Sequence, residues 1–416
     1  MNASFGRTVL LAALLALLCV ACGGPGEGGA DEDSGFERIG SGGQERAEDT
    51  EVDSLKGGAA GIDAAGAERK EDTAERDAAS SSGEAPVERV GVSTLATNLE
   101  VPWSFAFLPG GDALVTERDS GRLLRVSPSG EVRVVQTLPE GGSGEGGLLG
   151  VAVSPGYDED RHVYAYYTTA RDNRVVRFRI GEEPEPILTG IPVNTYHDGG
   201  RIRFGPDGML YVSTGDAGDT GNSQDLSSLG GKILRIAPDG SVPPDNPFPG
   251  SPVYSFGHRN VEGLAWDEDG RLYASEFGQN AWDEVNRIEA GENYGWPQVE
   301  GRGGEDEGYV DPITVWPTSE ASPSGAEILV GGAIPRWEGD LFVAALRGER
   351  LWRLELNGRG EVTGREKLLD GEVGRVRDVA QAPDGSLWVS TSNHDTYGTP
   401  VSGQDDRILR LAPAGE

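Results

Sequence analysis

Residues 206–236 read PDGMLYVSTGDAGDTGNSQDLSSLGGKILRI, and this stretch contains the unit from which most of the chain is built. A Pro-Asp-Gly turn opens it, a short apolar strand follows, a polar glycine-rich loop intervenes, and KILRI closes it. Short runs rich in Leu, Val, Ile and Tyr between turn residues read as β-strands rather than helices, because turn signals recur before a helix could complete its length.

Working outward, the same pair of strands occurs six times. The closing strands are GRLLRV, NRVVRF, GKILRI, DEVNRI, ERLWRL and DRILRL, aligned on Arg125, Arg177, Arg235, Arg287, Arg353 and Arg410. Their separations are 52, 58, 52, 66 and 57 residues. Just upstream of each lies its partner: DALVTE, HVYAYY, GMLYVST, GRLYASE, GDLFVAA and GSLWVST. Two strand types recurring in step at a long period indicate stacked repeats. Nothing between them has the length and periodicity of the helices that a parallel α/β sheet needs, and a β-helix has a much shorter period. The prediction is an all-β chain: a six-bladed β-propeller of four-stranded antiparallel blades over residues 89–416. The six arginines, present in every blade, are expected to be exposed strand residues. Functional residues should be those that break the repeat.

The start of the chain is a different polymer. Residues 1–21 carry one positive charge at Arg7 and an apolar run from Val9 to Val20, the layout of an export signal. Both cysteines, Cys19 and Cys22, lie at this end, so no disulfide is possible downstream. LCVACGG resembles the bacterial lipoprotein signal, which implies lipidation of Cys22, with plain secretion as the alternative. Residues 22–88 are rich in Gly, Ala, Glu, Asp and Ser with almost nothing large and apolar to bury, and are expected to form a solvated acidic tether. The expected location is extracytoplasmic, anchored by lipid to the bacterial membrane at the periplasmic or cell surface. The formal charge of −33 argues against nucleic acid as a partner, because phosphates would be repelled.

Three stretches break the repeat: YHDGG before the third blade's inner strand, residues 251–301, and residues 371–391. Loops that enter the innermost strands of a propeller line one mouth of its channel. On that geometry His197, Arg259 with Asn260, Arg347, and Arg375 with Arg377 face a common pocket. Each arginine alone reads as a surface or salt-bridge residue. Several guanidiniums around one cavity of an acidic protein instead call for an anionic ligand. His197 alone is equally readable as a structural histidine; Asp216, at the end of the strand that follows it, is placed to accept its Nδ1 proton and free Nε2 as a base.

GEGGLLGVAVSP, YHDGGRIRFGPDGMLYVSTGD with Gln224-Asp225, GHRNVEGLAW, DEVNRI with NYGWP, and RVRD occur in that order. Together they resemble the soluble pyrroloquinoline-quinone (PQQ)-dependent aldose sugar dehydrogenases of the glucose/sorbosone dehydrogenase family, over about residues 95–413. The resemblance implies a six-bladed propeller, PQQ and calcium as cofactors, an aldose substrate oxidised at C1 to the lactone, and an electron acceptor that no motif specifies. It implies His197 as general base and Glu145, Arg259, Asn260, Arg347, Arg375 and Arg377 as quinone contacts, with Tyr309 as a further one. It also implies calcium on the carbonyls of Gly278 and Gln279, and a structural calcium at Glu284 with the Tyr294 carbonyl. Gln279 departs from the Gly-Pro of many relatives, and Tyr196 stands where some have Asp. The small residues after His197 are expected to leave room for a flat ring and a sugar. Two other readings stay open: a propeller without redox activity that binds carbohydrate or protein, and a calcium-dependent lactone hydrolase, against which the arginine set argues.

Overall fold

The turn at 206–208 shows why the strands fall where they do. Gly208 takes φ 76°, where a side chain would be strained, and its N–H closes the turn on the Gly205 carbonyl at 3.0 Å. That turn pairs Ile202–Phe204 with Leu210–Ser213, and the long loop after Ser213 returns the chain as Lys232–Ile236. A fourth strand, Val253–Phe256, completes the sheet. The computed structural model describes residues 89–139 and 141–415. The predicted leader, the tether and both cysteines lie outside the described residues.

Six such sheets are present, each four-stranded and antiparallel, and together they form the expected six-bladed propeller. The first strands of successive blades touch around the central channel. Among the described residues helix is confined to single turns such as Tyr157–Asp160 and Gly221–Gln224. The sixth blade is composite. Val376–Gln381, Leu387–Thr391 and Ile408–Pro413 come from one end of the propeller, and Val90–Ala96 adds the outer strand from the other, with Val90 opposite Pro413. This pairing closes the ring through backbone hydrogen bonds.

Aromatic side chains seam neighbouring blades. Tyr164 meets Phe204 at 5.0 Å, Tyr211 meets Trp266 at 5.1 Å, Trp316 meets Trp352 at 5.6 Å, and Phe107 meets Trp388 at 5.1 Å. Each pair spans two blades, so the largest apolar side chains hold the ring together rather than any one sheet.

The innermost strands carry the feature that builds the site. Five of them shift register near their start, as at Val261/Gly263 and Val376/Asp378. A bulge turns a side chain out of the pleat, and Glu262 and Arg377 are the residues so displaced; they meet across the channel at 3.0 Å. Gly325 packs so tightly beside this belt that a Cβ there would collide with the Asp378 carboxylate.

The six repeated arginines are not uniformly exposed, as their recurrence suggested. Arg235 is buried, and Arg353 is largely covered. Four of them reach the aspartate of the turn before their partner strand: Arg125–Asp112, Arg235–Asp207, Arg353–Asp340 and Arg410–Asp384, at 2.5, 2.9, 2.6 and 2.8 Å. They are blade fasteners, which is why they recur.

Candidate active site

His197 lies in the loop between the second and third blades, in the left-handed region at φ 61°. Its backbone N–H donates to Glu145 Oε2 at 2.8 Å and its carbonyl accepts from the Ala217 N–H at 3.1 Å. Nδ1 is 2.6 Å from Asp216 Oδ1. The carboxylate is buried and also accepts from the Gly218 N–H at 2.8 Å and from Trp296 Nε1 at 2.9 Å. Burial pushes the Asp216 carboxyl up, but His197, Trp296 and Gly218 outweigh it and hold it below the usual carboxylate range. An ionised Asp216 only accepts, so Nδ1 carries the proton and Nε2 is left with a lone pair. Nε2 has no protein partner among the described residues, and the imidazole is 14% exposed.

The Asp-Gly-Gly after His197 serves backbone packing, not ligand space. Gly199 and Gly200 adopt φ 62° and 111°. A Cβ on Gly199 would strike the Thr214 backbone, and one on Gly200 would strike Leu149. Asp198 is buried beneath, accepts from Asn173 Nδ2 at 2.8 Å, and is pushed up to about 6 by burial.

A cavity of about 440 Å³ is lined by Glu145, Arg347, Arg375 and Arg377 among the expected residues. His197, Asp216, Arg259 and Asn260 do not line it, and the pair is joined to it through Glu145, which holds the His197 N–H. Arg118, Glu262, Asp395 and Tyr397 also line it. Asp395 bridges Arg375 and Arg377 at 3.0 and 3.1 Å, and Arg377 continues to Glu262. Burial pushes the Asp395 carboxyl up, yet Arg377 and Arg375 together hold it below its ordinary range. Of the four guanidiniums that line the cavity, Arg118 pairs with Asp119 at 2.5 Å, Arg375 and Arg377 pair as above, and Arg347 has no ionic partner among the described residues. That arrangement suits a ligand bearing carboxylates. The smaller cavity at the opposite mouth, about 220 Å³, differs in this respect: Arg201 pairs with Asp378 and Arg203 with Glu327.

The remaining expected residues spread over the fourth blade. Arg259 stacks its guanidinium 5.5 Å from the Trp296 ring and donates weakly to the Phe277 carbonyl, while its buried Nε has no partner. Phe277 lines the cavity, so Arg259 borders it from behind. Asn260 is a fastener: Oδ1 accepts from the Gly199 N–H at 3.0 Å, and its backbone bridges Gly215. Tyr309 does not line the cavity; it is half-buried against Gly295 and Gly304.

The loop carrying Gly278 and Gln279 is held by Glu300 Oε1, which accepts from the N–H groups of Gln279, Asn280, Ala281 and Trp282 at 2.7–3.1 Å. With its amides so engaged, the loop's carbonyl oxygens remain for other donors or a cation.

Glu284 is buried and, among the described residues, accepts only from Asn286 Nδ2 at 2.9 Å and the Gly301 N–H at 3.1 Å. Burial, with Glu276 and Glu300 nearby, pushes it well above the ordinary carboxylate range. The repeat makes its position unusual. Three residues before each repeated arginine stand Arg122, Arg174, Lys232, Glu284, Arg350 and Arg407. Five blades place a cation there, bonded at 2.5–2.8 Å to Glu117, Asp172, the Asn222 carbonyl, the Gly348 carbonyl and Asp405. The fourth blade inverts the sign, and a metal ion would restore it. Among the described residues no three acidic, histidine or cysteine side chains converge on one metal position. A cation at Glu284 would therefore draw on backbone carbonyls, as a hard oxygen-seeking ion does. The Tyr294 ring stacks on His258 at 4.7 Å, and His258 bonds Glu276; no hydrogen bond or ion pair joins Tyr294 to Glu284 among the described residues.

Sequence reading missed Trp296, Glu262, Asp395 and Arg118. Trp296 was in plain view within NYGWP; the inverted charge at Glu284 was the other available signal, visible once the six third strands are aligned.

Residues 99–398 match the Glucose / Sorbosone dehydrogenase family. The chain is 51% identical to the aldose sugar dehydrogenase of Streptomyces coelicolor, solved in its PQQ-bound form, over 79% of this chain and 99% of that one, with a TM-score of 0.72. It is 27% identical to the soluble aldose sugar dehydrogenase of Escherichia coli, solved in the apo form, over 78% of this chain and 100% of that one, with a TM-score of 0.68. It is 30% identical to quinoprotein glucose dehydrogenase B of Acinetobacter calcoaceticus, over 73% of this chain and 84% of that protein.

Proposed function

Since this chain belongs to the glucose/sorbosone dehydrogenase family, we propose that it is a quinoprotein aldose dehydrogenase that uses PQQ and calcium to oxidise sugars at C1 to lactones. The observation that carries this reading is the His197–Asp216 pair, joined through Glu145 to a cavity in which the Arg347 guanidinium has no ionic partner among the described residues.

Arg347, Arg375 and Arg377 would hold the carboxylates of the quinone, Arg259 would support it from behind, and the Gly278 and Gln279 carbonyls would hold calcium. The quinone with its calcium would supply the two-electron acceptor for the hydride on the anomeric carbon. His197 Nε2 takes the proton of the anomeric hydroxyl. Asp216 stabilises the resulting imidazolium and, fixed by Trp296 and Gly218, keeps the ring in the tautomer that leaves Nε2 basic. Glu145 fixes the backbone of the base and also lines the cavity. A separate electron acceptor would then reoxidise the reduced quinone. At the chain's start we propose export and lipidation at Cys22, so that the enzyme works outside the cytoplasm at the end of its tether.

Titration of the purified full chain with PQQ and calcium tests the reading. A saturable absorbance change and quinone-dependent oxidation of aldoses with an artificial acceptor are expected. A chain that binds no quinone under these conditions refutes it and favours a surface propeller that only binds carbohydrate or protein.

A further inference from the structure

The third blade places a lysine where four others place arginine, and the environment of that lysine differs in kind. Lys232 is completely buried, and no carboxylate lies within ion-pair distance of it among the described residues. Its Nζ instead donates to three backbone carbonyls: Asn222 at 2.5 Å, Gly230 at 2.7 Å and Ser223 at 3.1 Å. An ammonium has three donors, and all three are used. Burial pushes its pKa down to about 8, with Asp225 pulling it up, so the cation persists at neutral pH.

These carbonyls belong to the loop 214–231, which carries Asp216. Asn222 Nδ2 donates to the Asp216 carbonyl at 2.9 Å. Ser223 Oγ donates to the His258 carbonyl at 2.6 Å, and the Ser223 carbonyl accepts from the Gly257 N–H at 2.9 Å. The Asp216 N–H donates to the Arg259 carbonyl at 2.7 Å. The ammonium thus gathers the turn that positions Asp216 and fastens it to the segment bearing Arg259 and Asn260. Without the charge, three carbonyl dipoles pointing at one spot would repel, and the loop would open.

We propose that Lys232 is a positioning residue for the Asp216–His197 pair, its ammonium acting as a fixed internal cation for the loop that presents the aspartate. The proposal rests on His197 being the base. Lys232→Met keeps length and removes charge. Arg353→Met removes a largely covered cation of the fifth blade, which bonds Asp340 at 2.6 Å and Glu366 at 2.7 Å and touches neither member of the pair, and serves as the structural control.

Two readouts are compared in the full chain. The first, in the quinone-free protein labelled with ¹⁵N-histidine, is the downfield Nδ1–H resonance of the 2.6 Å His197–Asp216 bond, assigned by its loss in His197→Gln. The second is steady-state turnover at saturating quinone. Lys232→Met is expected to shift or abolish the resonance and to lower kcat by about 10–100-fold with KM little changed, the scale for a misplaced catalytic group. Arg353→Met is expected to lower the melting temperature alone. A Lys232→Met protein that melts lower but keeps both the resonance and wild-type kcat overturns the proposal. Should Lys232→Met not fold, Lys232→Gln decides: it removes the charge but keeps a donor for the loop carbonyls, and an unchanged resonance and kcat overturn the proposal equally. Wild-type protein without quinone-dependent turnover refutes the dehydrogenase reading, while the resonance still judges Lys232.

Discussion

Replacing Asp216 with asparagine isolates what the aspartate contributes, because the side chain keeps its shape and loses one acceptor. The carboxylate accepts from three donors: His197 Nδ1 at 2.6 Å and the Gly218 N–H at 2.8 Å on Oδ1, and Trp296 Nε1 at 2.9 Å on Oδ2. Asparagine offers one oxygen. If that oxygen faces His197, the amide NH₂ confronts the indole N–H. If it faces Trp296, the NH₂ confronts the Gly218 N–H and donates to Nδ1, which forces the imidazole proton onto Nε2 and abolishes the base. Each confronted donor costs about 1–3 kcal/mol, so the two orientations are comparably poor. Asp216→Asn is therefore expected to lower kcat by about 10²–10⁴-fold, from the wrong tautomer and the lost countercharge. Adding Trp296→Phe removes the donor that opposes the productive orientation. The double variant should recover about tenfold, the equivalent of about 1.4 kcal/mol. The assay is initial-rate aldose oxidation with excess quinone and an artificial acceptor, with quinone affinity measured separately by absorbance titration. Near-normal turnover in Asp216→Asn, or a double variant slower than the single one, would refute the tautomer argument.

Other outcomes follow from the same geometry. His197→Gln should leave quinone affinity intact and cut turnover by about 10²–10⁴-fold; equal losses in affinity would mean that the imidazole holds the cofactor instead. Arg347→Ala removes an unpaired cation from the cavity and should weaken quinone binding by about 10–100-fold, with activity restored by excess quinone, whereas unchanged affinity excludes it as a carboxylate contact. Burial pushes Asp198 and Asp283 up to about 6 and Glu284 well above its ordinary range. A raised carboxyl favours folding below its unfolded pKa and loses that contribution as pH rises through its folded pKa. The chelated protein should therefore melt higher at pH 5 than at pH 7, and calcium should raise the melting temperature most at pH 7; a melting curve insensitive to both pH and calcium counts against the Glu284 site. Cys22→Ser should release the protein from membranes and abolish incorporation of labelled fatty acid in its native host; wild-type protein found in the soluble fraction without detergent would end the anchor proposal.

How much of this was legible in the chain depends on the range of the interaction concerned. Strand and turn are local: LYVS after Pro-Asp-Gly and KILRI before APDG declare themselves within a few residues, and counting such pairs gives six blades. The mouth of the channel was legible for a related reason, because equivalent loops in a repeat converge. His197, Arg375 and Arg377 stood out by breaking that repeat. The Gly-Gly after His197 was misjudged because a close backbone approach to Thr214 leaves no local mark.

The tertiary structure decided the rest. Arg377 finds Glu262 from 115 residues away, and Trp296 finds Asp216 from 80 away. Those partners are chosen by which inner strand carries a bulge and how neighbouring blades abut, which no periodicity records. Closure of the ring by Val90–Ala96 on Ile408–Pro413 is of the same kind. A hydrophobic period tells each segment which face to bury. Only the packed ring, by bringing distant charges into a low-dielectric channel, sets which of them must pair and which guanidinium is left for a ligand.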